Sequence, residues 1–145
     1  MRHNLPAADI EALLTEPLVS TLATYRRDGS ALLSPVWHEW RDGGFNICVG
    51  AADVKLRHVQ RDPRACLVIY DQRPPYRGVQ LNSVPRILLA AEADYPTILR
   101  RIAVHYLGGT QGNSYADKSP GTGVILRLEP GEIRSWDFAD EFAAD

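Results

Sequence analysis

The chain has 145 residues, of which 45% are hydrophobic and 23% are charged, and its formal net charge is −2. This length fits one globular domain spanning residues 1–145, and the composition is too apolar for general disorder. The slight negative charge gives no overall attraction to phosphate polymers, which argues against a nucleic-acid-binding protein. We expect a cytoplasmic protein, because no apolar run is long enough to cross a membrane and the N-terminus lacks the apolar stretch of a signal peptide.

The first third of the chain predicts a short helix followed by a meander of strands. Residues 7–15 place their apolar side chains on one side, and Pro17 blocks continuation, which predicts an amphipathic helix. Residues 18–25 and 31–40 are strand-like and meet across an Asp-Gly turn, which suits a tight hairpin. A second Asp-Gly turn leads into a third strand at residues 45–49.

The middle of the chain predicts a crossover helix and two further strands. Asp53 can cap a short helix, which ends before Pro63 because the residue before a proline disfavours helical geometry. Residues 65–70 form an apolar run of strand length. A longer strand-like stretch covers residues 76–92, and Pro85 should mark a bend or bulge in it.

The last third predicts one long helix, a loop and a strand. Asp94 is a suitable N-cap for a helix that ends at Gly108. Residues 110–121 are polar and rich in Gly, Asn and Ser, which indicates a surface loop, and alternating apolar residues at 124–128 indicate a strand. The simplest architecture is a mainly β, antiparallel barrel of six or so strands with two or three packed helices.

The cysteines and histidines predict no metal site. Cys48 and Cys66 are far apart, each inside an apolar strand-like segment, which fits two reduced core thiols better than a redox pair. The four histidines lack the paired spacing of a zinc site.

A series of short motifs, in this order and spacing, resembles one family. The motifs are Leu22-Ala23-Thr24 with Asp28-Gly29, Ser34-Pro35-Val36-Trp37, Lys55-Leu56-Arg57-His58-Val59, Arg61-Asp62-Pro63-Arg64, Pro75-Tyr76-Arg77-Gly78-Val79 and Tyr106-Leu107-Gly108. Together they resemble the split-barrel flavin and deazaflavin oxidoreductases of the pyridoxamine 5'-phosphate oxidase-like superfamily. The later motifs are most similar to the actinobacterial branch that uses coenzyme F420.

The resemblance implies a homodimeric split β-barrel with two cofactor sites at the subunit interface. The tricyclic ring would lie over the barrel, and the phosphate would lie near a strand-to-helix turn. In this branch the cofactor is F420; in the rest of the superfamily it is commonly FMN. The partner of the cofactor would be a small-molecule acceptor.

Lys55 is the leading candidate ligand for the cofactor phosphate. It lies where the third strand gives way to the crossover helix, so its ammonium and the first helical N–H groups could bind one phosphate together. The family often places a basic residue two positions earlier, where this chain has Asp53, whose carboxylate repels a phosphate unless it turns back to cap the helix. Arg57 is a secondary candidate, which could reach the same phosphate only if the helix starts late. The alternative for Lys55 is a solvated surface lysine.

Ser34, Pro35, Val36 and Trp37 are candidates to contact the heterocycle through their backbone. Pro35 removes a ladder donor, so a local break could free neighbouring backbone groups for the polar edge of the ring. The alternative is an ordinary edge strand.

Aromatic and basic side chains supply further candidates. Trp37, Trp40, Tyr76 and Trp136 could stack on a planar ring or wall a substrate pocket, although aromatic residues of this kind more often belong to a core or a dimer interface. Arg77 and the adjacent Tyr76 follow two prolines in a loop that could reach across the dimer to an anionic cofactor tail.

The resemblance implies an F420H2-dependent reductase that transfers hydride to a small electron-poor acceptor such as an enone, an imine or a tetrapyrrole. His38, Tyr25 or water could supply a proton, although His38 also fits a structural histidine. One alternative is an FMN-dependent oxidase or reductase on the same fold. Another is a non-catalytic protein that binds a flavin, a deazaflavin or haem.

Overall fold

The computed structural model describes residues 1–143, which form ten strands, five α-helices and one short 3-10 helix at Ala139–Glu141. The strands are Arg2–His3 (β1), Ser20–Tyr25 (β2), Ala31–Val36 (β3), Glu39–Arg41 (β4), Gly44–Val49 (β5), Ala65–Tyr70 (β6), Gly78–Ser83 (β7), Arg86–Leu89 (β8), Val124–Leu128 (β9) and Ile133–Asp137 (β10). The helices are Ala7–Thr15 (α1), Val54–Arg61 (α2), Ala90–Ala93 (α3), Tyr95–Leu107 (α4) and Gly109–Lys118 (α5).

The strands form two antiparallel sheets. A six-stranded sheet has the order β1-β10-β7-β6-β2-β3, and a four-stranded sheet has the order β4-β5-β9-β8. The predicted class, a mainly antiparallel β fold with packed helices, is confirmed. Within the described residues there are more strands and helices than the six or so strands and two or three helices expected.

The hydrophobic core lies between the inward faces of the two sheets. Leu22 and Leu67 of the first sheet and Phe45 and Leu126 of the second have no exposed surface. These inward residues follow the period of two that one buried sheet face requires. Leu13 and its neighbour Leu14, on α1, pack into the same cluster, so the predicted amphipathic helix covers this core.

The predicted strand over residues 31–40 is wrong in one respect, because the chain changes sheets within it. β3 ends at Val36, and β4 begins at Glu39 in the other sheet. Trp37 and His38 therefore make the connection, and the buried His38 side chain holds it in place. The predicted three-stranded meander is divided between the two sheets.

A second change of sheet occurs inside the predicted stretch 76–92. β7 lies in the six-stranded sheet and β8 in the four-stranded sheet, with the break at residues 84–85. The bend expected at Pro85 is confirmed. Residues 90–93 form the short helix α3 instead of continuing the strand.

The predicted surface loop over residues 110–121 is wrong, since residues 109–118 form α5. Gly112, its one buried residue, lies so close to α4 that an added Cβ would be 2.4 Å from the Cα of Val104. Glycine weakens an isolated helix, but here it allows two helices to pack closely. The polar residues that suggested a loop are mainly on the exposed side of this helix.

Two strands lacked a predicted counterpart. β10 pairs with β7, and the two-residue β1 pairs with β10 at the edge of the six-stranded sheet. At the start of α4, Asp94 occupies the N-cap position as predicted, but its side chain makes no capping hydrogen bond and its φ is +53°. None of the helices within residues 1–143 has the length and apolar character needed to cross a membrane.

Candidate functional site

A cavity of about 510 Å³ brings together four of the residues singled out in the sequence. Pro35, Val36 and Trp37 line it from the end of β3, and Lys55 lines it from the first turn of α2. The remaining lining residues are Val19, Cys48, Leu99, Ile102 and Tyr115. The cavity therefore combines one cation with a mainly apolar and aromatic wall, the usual composition of a small-molecule site.

The cation of the cavity is held by a neighbouring carboxylate. One oxygen of Asp53 accepts a hydrogen bond from the backbone N–H of Lys55 at 2.9 Å, and the other accepts one from its ammonium at 2.8 Å. The capping role predicted for Asp53 is confirmed. Burial raises the pKa of Asp53, but the hydrogen bonds from Lys55 outweigh burial, so the net direction is downward and the carboxylate stays ionised at neutral pH.

Lys55 still has binding capacity after this contact. An ammonium carries three donors, and Asp53 occupies one of them. The side chain of Lys55 retains 17% of its exposure, and it lies at the N-terminal turn of an eight-residue helix. An anion in the cavity can therefore meet a free ammonium donor close to a helix N-terminus.

β3 is an edge strand next to the cavity. It pairs with β2 on one side, and its other side has no partner strand within the described chain. Pro35 is exposed in this strand, whereas Ser34 is 8% exposed and faces inward opposite Leu22. The side chain of Ser34 is therefore directed away from the cavity, and only its backbone remains available to a ligand.

Trp37 is held in place by two tyrosines. Its ring stacks on Tyr106 of α4 with a centroid distance of 5.1 Å and an interplanar angle of 9°. Tyr115 of α5 contacts the same indole at 5.4 Å in a tilted arrangement. The helical pair α4 and α5 thus fixes the aromatic wall of the cavity.

His38 lies inside the protein and does not line the cavity. It is 1% exposed, its Nε2 lies 3.1 Å from the carbonyl oxygen of Leu14, and its Nδ1 contacts the hydroxyl of Ser20. A carbonyl only accepts, so Nε2 carries the proton and Nδ1 accepts from Ser20. Burial lowers the pKa of His38 to about 4, so the ring is neutral at pH 7. The predicted role as proton donor is therefore corrected to the structural role, because the ring has no surface to offer a substrate.

The hydroxyl of Tyr106 connects this buried histidine to the cavity wall. It donates to the carbonyl oxygen of Leu18 at 2.8 Å and accepts from the backbone N–H of His38 at 3.2 Å. The ring of Tyr106 also stacks on Trp37. This one side chain of α4 therefore contacts both residues of the connection between the two sheets, Trp37 and His38.

Five lining residues were not predicted as site residues, and two of them, Cys48 and Tyr115, carry a polar group. Cys48 was assigned to the core, but it is only partly buried and lines the cavity. Burial raises the pKa of its thiol to about 12, with a smaller contribution from Glu39, so the thiol stays protonated. Tyr115 was missed because its segment was predicted as a loop. If residues 109–118 had been predicted as a helix, Tyr115 would have been expected beside α4.

Four of the predicted ligands do not line this cavity in the single chain: Ser34, described above, and Arg57, Arg77 and Tyr76. Arg57 is exposed on α2, and because the helix begins early, at Val54, it cannot share a phosphate with Lys55. Arg77 donates to Glu16 at 2.9 Å and lies 3.4 Å from Asp71. The neighbouring Tyr76, 42% exposed, packs against Phe142.

Two of the tryptophans considered as stacking partners also lie outside the cavity. Trp40 packs on Phe45, and Trp136 of β10 lies opposite Gly78 of β7.

Among residues 1–143, no three histidine, cysteine, aspartate or glutamate side chains are grouped as a metal site requires.

The comparisons with known proteins give one family and one fold. The sequence model for pyridoxamine 5'-phosphate oxidase matches residues 7–137. No curated protein sequence matches the chain. Among solved structures, the conserved hypothetical protein Rv2991 from Mycobacterium tuberculosis is similar with a TM-score of 0.78 and 24% identity, over 98% of this chain and 91% of the other.

Two further structures share the fold. A protein named F420 reductase is similar with a TM-score of 0.61 and 23% identity, over 85% of this chain and 94% of the other. HutZ, a haem storage protein from Vibrio cholerae, is similar with a TM-score of 0.67 and 9% identity, over 88% of this chain and 92% of the other. At these identities the likeness concerns the fold, which serves proteins of different function.

Proposed function

This chain belongs to the pyridoxamine 5'-phosphate oxidase family, and on that premise we propose that it is a reductase that uses reduced coenzyme F420. The acceptor is a small electron-poor organic molecule, such as an enone, an imine or a tetrapyrrole. The observation that carries the proposal is the cavity in which Pro35, Val36 and Trp37 meet Lys55.

The size and chemistry of the cavity support this proposal. Its volume of about 510 Å³ falls in the range of roughly 300–1,000 Å³ typical of cofactor and ligand pockets. Trp37 supplies an aromatic surface for a planar ring. Lys55 supplies an ammonium donor for a phosphate, and Asp53 is turned back to cap α2 as this role requires.

When bound, reduced F420 supplies the hydride, so the protein needs neither a nucleophile nor a strong base. The residues of the chain bind and orient the cofactor and the acceptor, and they exclude water. Lys55 and the first turn of α2 anchor the anionic end of the cofactor, while Leu99 and Ile102 keep the cavity floor apolar. Tyr115, whose ring borders the cavity and is 46% exposed, or water provides the proton. Tyr25, the other predicted donor, lines a different cleft.

The active unit in this proposal is a homodimer that encloses the cavity. Large apolar side chains are exposed beside it: Leu33 of β3 is 65% exposed, Tyr70 of β6 43%, and Val19, the residue before β2, 51%. Covering these side chains would bury apolar surface. A two-fold axis would also allow Tyr76 and Arg77 of one protomer to reach the site of the other, where the resemblance expects them.

The alternatives differ from the proposal in what the site must provide. A haem protein needs an axial ligand such as histidine, and the described residues that line the cavity include none; the protonated Cys48 is a poor substitute. An FMN-dependent oxidase would use the same phosphate site and aromatic wall. The affinities for FMN and F420 and the reactivity with oxygen therefore distinguish this alternative from the proposal.

The test is a side-by-side titration of the apo-protein with F420 and FMN, monitored by cofactor and tryptophan fluorescence in one buffer. Tight binding of F420 alone supports the proposal, and preference for FMN would favour the oxidase. Binding of neither cofactor overturns both. A screen with F420H2 and enone, imine and tetrapyrrole acceptors then separates a reductase, which oxidises the cofactor, from a carrier, which binds it without turnover.

A further inference from the structure

A second and larger cleft lies elsewhere in the fold. It has a volume of about 700 Å³ and is formed where the end of β2, the β6–β7 pair and the ends of β8 and β9 meet. It shares no lining residue with the cavity that contains Lys55. The polar residues relevant here are Tyr25, Arg64, Asn82, Arg86, Arg127 and Glu129.

The charge of this cleft is positive. Three arginines line it, whereas Glu129 is the one carboxylate among its described lining residues. The carboxylate of Glu129 lies 2.9 Å from the guanidinium of Arg86 and 3.6 Å from that of Arg127, so one negative charge is shared between two positive charges. Arg64 is paired with Asp62, which lies outside the lining, and rests over the ring of Tyr25.

Arg127 is the buried part of this positive charge. The residue is 8% exposed, and its guanidinium donates to the carbonyl oxygens of Arg41 and Asp42 and to the side-chain oxygen of Asn46. These neutral acceptors satisfy its hydrogen bonds but leave its charge in place.

The chain makes room for this arginine. A Cβ at Gly44 would lie 2.7 Å from the Cζ of Arg127, so a larger residue at this position would displace the guanidinium from where it lies. Arg86, on the edge strand β8, and Arg64 keep 62% of their side-chain exposure at the same cleft. A fixed buried cation with two accessible guanidiniums beside it forms a concave surface that attracts anions, because a cleft lined by one sign of charge focuses its field.

From this arrangement we infer that the cleft is a second ligand site, separate from the cavity at Lys55, for a small molecule carrying a carboxylate or phosphate group. The oxyanion contacts the guanidinium of Arg86 and is attracted by the positive charge of Arg127. It competes with the carboxylate of Glu129 for these two arginines. The side chain of Asn82 offers a further donor at the rim. Guanidinium groups bind both oxyanions in bidentate geometry, which accounts for the shared chemistry.

The experiment titrates citrate and inorganic phosphate into the full-length protein at constant ionic strength. Binding is measured by calorimetry and by NMR of the arginine Nε–H signals. The expected result is a saturable shift at Arg86 and Arg127, with citrate tighter for an organic acid site and phosphate tighter for a phosphate ester site. Absence of a saturable shift at these two arginines overturns the inference.

Matched variants locate the binding. Arg86→Gln should weaken it about 10-fold, as expected for the loss of a charge-assisted hydrogen bond, and Glu129→Gln should tighten it because the competing carboxylate is removed. The control is Arg100→Gln, which alters an arginine of α4 that is paired with Asp117 of α5. This variant should leave the affinity unchanged. Equal weakening by Arg86→Gln and Arg100→Gln, or loss of binding in Lys55→Ala, would overturn the assignment to this cleft. Thermal unfolding of each variant checks that the fold is retained.

Discussion

Asp53 contacts Lys55 twice, through the backbone N–H and through the ammonium, using one carboxylate oxygen for each. The same carboxylate therefore starts α2 and partly neutralises the cation that faces the cavity. These two roles can be separated by substitution, because an asparagine retains the cap and removes the charge.

Asp53→Asn should tighten the binding of a phosphate-containing cofactor while leaving the protein as stable as before. Asparagine caps a helix about as well as aspartate, and the repulsion between carboxylate and phosphate is lost. We expect a gain of roughly 1.5- to 5-fold in affinity, which corresponds to a partly exposed charge interaction of about 0.2–1 kcal/mol. Asp53→Ala is the comparison: it should cost about 1 kcal/mol of stability through the lost cap. Weaker binding by Asp53→Asn would show that Asp53 is needed to position Lys55.

Lys55→Ala should weaken cofactor binding by roughly 1–3 kcal/mol, the range for a lost charged hydrogen bond. Arg57→Ala should change the affinity less than about twofold, because Arg57 is exposed outside the cavity. Fluorescence titration of both variants with F420 checks this. An unchanged affinity in Lys55→Ala would remove Lys55 from the site, and a large effect of Arg57→Ala would restore that residue as a ligand.

His38 should make the protein sensitive to acid. An unfolded chain binds a proton at this residue near pH 6.5, whereas burial delays protonation in the folded chain to about pH 4. The unfolded state therefore binds more protons between these values, and stability falls as the pH falls from about 6.5 towards 4, by roughly 3 kcal/mol in total.

Denaturant unfolding between pH 4 and pH 8 measures this effect. His38→Gln should flatten the dependence in this window, because it removes the buried ring. An identical pH dependence in wild type and His38→Gln would contradict the assignment.

Leu33→Asp should convert a homodimer into a monomer. Leu33 is 65% exposed on the outward face of β3, and a buried carboxylate at an apolar interface is strongly unfavourable. Sedimentation should give twice the chain mass of 16.1 kDa for the wild type and the single mass for the variant. Leu89→Asp is the matched control, since Leu89 is 63% exposed on an edge strand of the other sheet. A monomeric wild type, or dissociation by both variants, would refute this interface.

Gly112→Ala should destabilise the protein by about 1–3 kcal/mol, because the added methyl group meets the α4 backbone at 2.4 Å. Thermal unfolding tests this against Gly109→Ala, where a Cβ has no neighbour within 4 Å. Because α5 carries Tyr115, tryptophan fluorescence should also report a disturbed contact with Trp37. Equal stability of the two variants would mean that α5 moves away from α4 without loss.

Much of the fold was predictable from local chemistry. The Asp-Gly turns, the cap at Asp53 and the stop before Pro63 act within a few residues, so the sequence was sufficient to place β2, β5 and α2. Lys55 and residues 35–37 were predicted separately, as contacts to the phosphate and to the ring of one cofactor, and they line the same cavity.

The remaining features depend on contacts that are distant in sequence. The polar composition of α5 is typical of a loop, and only the packing of Gly112 against Val104 explains why it is a helix. Residues 31–40 have the pattern of one continuous strand. The chain changes sheets there because His38 is held by hydrogen bonds to Leu14 and Ser20, which no local pattern indicates. The cleft around Arg127 was also beyond local patterns, since its wall combines residues from four parts of the chain.

The hydroxyl of Tyr106 has a consequence for the order in which the molecule is made. It bonds to Leu18, 88 positions earlier, and its ring supports Trp37, while Tyr115 completes the wall from further along the chain. During synthesis on a ribosome, the strands β1 to β8 are made before either tyrosine, whereas β9 and β10, which complete the two sheets, come after both. The cavity therefore forms only after most of the chain has left the ribosome, and a ligand of this site is acquired by the finished polypeptide and cannot guide the folding of its first half.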